Sequence, residues 1–196
     1  FAPADLDPGT AVHDSNEGTQ VTATASASGT GALTYAWQLS QGDTVITQSL
    51  STTFVFTPPD DGLYTVTLKV TDSAQTAATR TEEVIVHNVA PELTNVMGDT
   101  IHEGQTADVF VTIVDPGMLD VFEIDVDWMD GDPIDTITGL GAANASGTVG
   151  NTDYEWTAAT RLLKLSHQFL DDNPTGTTSD TYHVTLVARD NAMGES

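Results

Sequence analysis

Short stretches in which apolar and polar residues alternate run through the whole chain, and none holds a helical period over three turns. The clearest is Tyr64-Thr-Val-Thr-Leu-Lys-Val-Thr-Asp72, with Tyr64, Val66, Leu68 and Val70 on one face. Successive side chains of a pleated backbone point to opposite faces, so a run with one apolar face marks a half-buried strand. A second copy, Tyr182-His-Val-Thr-Leu-Val-Ala-Arg-Asp190, repeats the pattern with Tyr182, Val184, Leu186 and Ala188. Thr, Val and Ala are abundant, and Gly and Pro break the chain at short intervals. That is the pattern of an all-β sandwich, and it predicts little helix.

Other segments also occur twice. Asn16-Glu17-Gly18 is answered by His102-Glu103-Gly104, and Leu33-Thr-Tyr-Ala-Trp37 by Phe122-Glu-Ile-Asp-Val-Asp-Trp128. At about 100 residues per small sandwich, a repeat in a 196-residue chain predicts two tandem antiparallel β-sandwiches. The boundary falls in His87-Asn88-Val89-Ala90-Pro91, because Pro91 cannot donate to a ladder and restrains the residue before it. The first domain is read as 1–88, with 1–10 as an N-terminal extension, and the second as 89–196. The predicted core includes Trp37, Leu68, Val70, Phe122, Ile124, Val126, Trp128, Val184 and Leu186. An insertion at about 139–159 reads as a surface loop with an extra hairpin around Tyr154 and Trp156. The first copy runs on through Arg80 to Val86 as its last strand, whereas only Asn191 to Ser196 follow Asp190. The second domain is therefore read as having no final strand in this chain. Either the chain is a fragment there, or a strand from another molecule completes the sheet.

Charge changes the picture more than overall hydrophobicity, which is low at 39% apolar. Five Lys and Arg face 29 Asp and Glu, a formal net charge of −24. Such a chain repels phosphate backbones and anionic lipid, which argues against nucleic acid and direct membrane insertion. No apolar run approaches the ~20 residues of a membrane-spanning helix. With no Cys, neither a disulfide framework nor thiolate chemistry is available. A small extracellular sandwich then needs another staple, and metal is one. Catalytic motifs are missing too: no Gly-x-Ser-x-Gly elbow, no His-Glu-x-x-His and no phosphate-cradling loop. No catalytic residue is assigned. His167 is read as an inward, hydrogen-bonded structural residue, and Asn144-Ala145-Ser146 as a chance match to a glycosylation sequon.

The segments Leu33-Thr-Tyr-Ala-Trp37, Phe56-Thr-Pro-Pro-Asp-Asp-Gly-Leu-Tyr64 with the strand that follows, Val126-Asp-Trp-Met-Asp-Gly-Asp132 and Ser166-His-Gln-Phe resemble the polycystic-kidney-disease (PKD) domain family. The first copy departs from the family signature, with Gln38-Leu-Ser-Gln-Gly-Asp43 in its place. The resemblance implies immunoglobulin-like sandwiches that serve as spacers or adhesive repeats of large extracellular or bacterial cell-surface proteins. The partners it implies are neighbouring repeat domains, other surface proteins or polysaccharide. The alternative it carries is an accessory substrate-binding module of a secreted polysaccharide- or protein-degrading enzyme.

In that topology the acidic loops fall at the sandwich ends. Glu17, Asp60 and Asp61 would lie where the first domain ends, Asn88 in the linker, and Asp115, Asp120 and Asp190 where the second begins. Seven oxygen-bearing side chains at one junction suit calcium, which takes six to eight oxygens. Acids also recur in turns because they bond their own backbone, so that reading stays open. Glu103, Asp171 and Asp172, at the far end of the second domain, form a candidate second half-site.

Overall fold

A computed structural model describes residues 14–102, 104–170 and 181–191. It is all-β, with one 3-10 turn at Ala158–Thr160. The chain forms two compact units, and the main division falls between Val89 and Ala90.

The first unit contains β1 (Asp14–Asn16), β2 (Val21–Thr24), β3 (Thr34–Gln41), β4 (Thr44–Ser49), β5 (Thr53–Phe56), β6 (Gly62–Thr71) and β7 (Ala77–His87). One sheet has the order β1-β7-β6-β3-β4, and the other pairs β2 with β5. The alternating run beginning at Tyr64 lies in β6, hydrogen-bonded to β3 on one edge and β7 on the other. Its apolar face is closed off by the second sheet: Tyr64, Val66, Leu68 and Val70 are buried with Trp37, Leu39, Phe54 and Phe56. Trp37 stacks on Phe54 with ring centroids 5.7 Å apart. Its indole N–H leaves the core to donate to the Ser51 carbonyl, so this large aromatic buries no unmet donor.

The second unit contains β8 (Glu92–Gly98), β9 (Thr106–Val114), β10 (Phe122–Asp127), β11 (Asp135–Leu140), β12 (Ala145–Val149), β13 (Thr152–Thr157), β14 (Leu162–Gln168) and β15 (Thr185–Arg189). Its sheets have the orders β12-β13-β14-β9-β8 and β11-β10-β15. Val109, Val111 and Ile113 of β9 face Phe122, Ile124 and Val126 of β10 across the core. Of the residues predicted to point inward, Trp37, Leu68, Val70, Phe122, Ile124, Val126 and Trp128 are each at most 4% exposed. Val184 and Leu186 differ: they pack on the core yet stay half-buried.

The insertion is more than a surface loop. Residues Ala145–Val149 and Thr152–Thr157 form a hairpin that widens the larger sheet, β13 pairing with β14 from Asp153↔Ser166 to Thr157↔Leu162. Trp156 is 1% exposed, and its indole N–H donates to the Gly141 carbonyl. It is a core residue and offers no exposed platform for a sugar. Tyr154 is half-buried on the same core. The hairpin turns at Gly150, where φ is +52° and a Cβ would sit 1.9 Å from an Asp135 carboxylate oxygen. Glycine is required there on both counts. The Asn144 side chain accepts the Ala158 N–H, a role in the turn.

Candidate metal centre

Four candidate ligand residues gather at one end of the first unit. Tyr64 opens the buried face of β6, and its hydroxyl donates to the Asp60 carbonyl at 2.8 Å, four residues upstream. This is the tyrosine-corner geometry of immunoglobulin-like sandwiches. Burial first, then the negative charge of Asp60, pushes the Tyr64 hydroxyl up to about 12, with smaller contributions from Asp61 and Glu17. All three carboxylates therefore act on one phenol. Glu17 is 1% exposed, and one of its oxygens accepts the Val89 N–H at 2.8 Å. Its own N–H donates to the His87 carbonyl. Those two bonds bracket Asn88 and bring it to the group. Asp61 is buried, and its carbonyl accepts from the Gln41 amide. Its N–H donates to the Asp60 carboxylate.

Three more gather at one end of the second unit. Asp115 follows the last residue of β9, Asp120 lies two residues before the start of β10, and Asp190 follows β15. Since β10 and β15 run antiparallel, with Glu123 opposite Arg189, the start of one lies beside the end of the other. The Asn191 side chain clamps the pair by accepting the Val121 N–H at 2.6 Å. Asp120 is 4% exposed, and the Asp115 carboxylate is fully covered.

Sequence reasoning missed Arg161 here. Its guanidinium donates to the Asp115 carbonyl at 2.6 Å, lies 4.0 Å from the carboxylate, and sits 5.2 Å from the centre of the Phe122 ring. Its own carbonyl accepts the Ile113 N–H. A cation among so few was the only available signal. Glu103, Asp171 and Asp172 lie outside the described residues.

A second polar centre in the second unit is built around His167, which is inward and hydrogen-bonded as expected. His167, 4% exposed, stacks on Trp128 at 4.8 Å and turns one ring nitrogen to the Asp130 carboxylate and the other to the Asn151 carbonyl. The Trp128 indole N–H donates to the Thr152 hydroxyl, which donates to Asp135. These bonds fasten the loop after β10 to the hairpin turn, a structural role for His167. Above them an open cavity of about 470 Å³ is lined by Asp130, Asp132, Asn151, Asp153, Phe169 and Tyr182 among others.

Residues 4–86 match the model of the PKD domain family. No curated protein matches the chain. Among solved structures, the chain is similar to the fibronectin(III)-like modules of Clostridium thermocellum CbhA, at 13% identity, TM-score 0.36, over 81% of this chain and 88% of that one. It is similar to carbohydrate-binding modules of the β-sandwich superfamily at 16% identity, TM-score 0.34, over 92% of each chain. It also resembles the Bacteroides ovatus glucan-locus protein SGBP-B, solved with a mixed-linkage heptasaccharide, at 12% identity and TM-score 0.33. That match covers 91% of this chain and 40% of the other.

Proposed function

We propose that this chain is a non-catalytic structural or adhesive segment of an extracellular or bacterial cell-surface protein, a rigid spacer whose acidic groups are held by calcium. One observation carries the reading. The candidate ligands fall into two compact groups, one in each unit, and the carboxylates of Glu17, Asp61, Asp115 and Asp120 are largely withdrawn from water. Buried like charges raise the free energy of the fold through desolvation and repulsion. A hard divalent cation offsets both, and its loose geometry tolerates ligands from several loops. The PKD match over residues 4–86 supports a spacer or adhesive role over an enzymatic one.

Thermal melting with calcium and with chelator tests this. A ligand that binds only the folded state adds RT ln(1 + [L]/Kd), so ~1 mM calcium against a Kd of ~10 μM gives about 2.7 kcal/mol. Asp115→Asn with Asp190→Asn should abolish most of that gain. Identical melting of the wild type in calcium and in chelator would sink the proposal. A double variant that still responds fully would keep the metal but remove these ligands.

The second reading, an accessory module that binds polysaccharide or protein substrate, has the open cavity beside Asp130 and Tyr182 in its favour. Saturable binding to chitin, cellulose or collagen, lost in Asp153→Ala, would favour it over the spacer.

A further inference from the structure

The charges of this chain are spread unevenly. Asp43 is the only charged residue between Glu17 and Asp60, although the chain holds 29 acids and five bases. That stretch supplies β2, β3, β4 and β5. The β4 end of the first unit's larger sheet, and all of its smaller sheet, are therefore almost without charge.

Among the described residues β4 pairs with β3 alone. Its six residues, Thr-Val-Ile-Thr-Gln-Ser, suit extended backbone and include no Lys, no Pro and no acid. Those are the residues with which sheets guard a free edge. A bulge is a further guard, and one occurs at Ile46. Yet Ile46 packs on the core, and Thr47 to Ser49 pair regularly with Trp37 to Leu39. Val45 within the strand is 49% exposed, and Leu50 just after it 82%. End strands elsewhere carry charge or lie against it. β1 begins at Asp14, β8 at Glu92 and β11 at Asp135, β15 ends at Arg189, and β12 lies against Asp153 and Glu155. In the neutral stretch itself, β2 and β5 are shorter, at four residues each.

We infer that the free edge of β4 is a self-association surface, where a second copy of this chain lays its own β4 antiparallel and extends the sheet across a two-fold axis. The occupant follows from charge. Two molecules of −24 each repel wherever acids face acids, and along this edge they meet without that repulsion. A basic partner would be drawn to the acidic surfaces instead. The antiparallel sense follows from Asp43, which immediately precedes β4. A parallel pair would set the two Asp43 carboxylates side by side. An antiparallel pair holds them at opposite ends of a six-residue strand, roughly 20 Å apart. Pairing satisfies the outward backbone groups of both edges and covers Val45, with no ion pair. The inference concerns the first unit alone and does not depend on calcium.

Sedimentation equilibrium of the intact chain in chelator tests it. An interface without ion pairs, formed between like-charged molecules, strengthens as salt rises. From about 0.1 to about 1 M sodium chloride the screening length falls from about 10 to about 3 Å, so the dimer fraction should increase. Val45→Glu with Thr47→Glu, both at exposed positions, sets like charges across the new ladder and should weaken dimerisation at least about tenfold. Thr79→Glu with Thr81→Glu, exposed on β7 of the same sheet, adds equal charge away from β4 and should leave the dimer in place. In the unmodified chain, amides of Thr44–Ser49 that do not bond β3 should exchange more slowly in the dimer, a readout that needs no variant to fold. A monomer at every salt and protein concentration overturns the inference. A dimer that weakens with salt, survives the β4 substitutions or leaves Thr44–Ser49 exchange unchanged overturns it too, because the contact then lies elsewhere. Equal loss of dimer in both double variants also overturns it, since net charge rather than β4 would then govern association.

Discussion

Asp72 shows what a carboxylate does in this chain when backbone amides surround it. The N–H groups of Thr76, Thr30 and Ala74 all donate to it, at 2.9, 3.1 and 3.0 Å. The bond from Thr76, followed by that from Thr30, holds its carboxyl below the usual carboxylate range. A carboxyl depressed in the fold stabilises above its unfolded value of about 3.9, and that stabilisation is lost as pH falls through the folded value. Asp108, held down by Ser166 and Lys164, and Asp125, held down by Arg189 and Thr136, act in the same direction. Asp72→Asn should therefore melt lower than wild type at pH 7, and the gap should narrow near pH 3. A gap of equal size at both pH values would show that the charge on Asp72 contributes nothing. Asp72 is also the first unit's counterpart of Asp190, so one repeat position anchors a turn in one unit and joins an acidic group in the other.

At the scale of elements, β12 and β13 are the addition that distinguishes the second unit. Trp156 anchors them, meeting Phe122 edge-on at 6.2 Å and binding the Gly141 carbonyl. Truncating a fully buried Trp costs about 3–5 kcal/mol through lost burial and the cavity left behind. Trp156→Ala should destabilise the second unit by that order in chemical denaturation while the first unit's transition stays in place. A single unchanged transition would mean that the hairpin is not part of the cooperative core. The strands that alternate cleanly, such as β6 and β10, were readable because period two survives without knowledge of any partner. Ala145–Val149 was not, because Ala, Ser, Gly and Thr give a strand no apolar face to announce itself. The burial of Asp120 was hidden for a related reason. A single acid between Leu119 and Val121, outside any strand, carries no period that marks it as buried, yet it is 4% exposed. The expectation that the acidic loops fall at the sandwich ends came from topology alone, whereas Arg161 beside Asp115 depends on a turn with left-handed backbone, φ 49°, that nothing local signals.

For the whole molecule, the charge of −24 has a counterpart in the scarcity of its cations. Lys69, Arg80, Lys164 and Arg189 all lie inside strands, and Arg161 sits at the turn into β14. Arg80 pairs with Glu82, Lys164 with Asp108, and Arg189 with Glu123 and Asp125. Side chains this extended and exposed contribute little to stability as pairs. Their positions bear instead on survival among proteases. An enzyme that cuts after Lys or Arg needs its target bond in an open, accessible segment, and here each target bond lies in or against a hydrogen-bonded ladder. Digestion by trypsin should then proceed only through opening of a unit, with the rate following the fraction open. An enzyme specific for acidic residues has exposed loop sites such as Asp43 and Asp132 and should nick the folded chain faster. Comparing the two digests over time by mass spectrometry decides the matter, and early tryptic cleavage in native buffer would contradict it. A surface stripped of basic residues is thus also a surface with few handles for one large class of proteases.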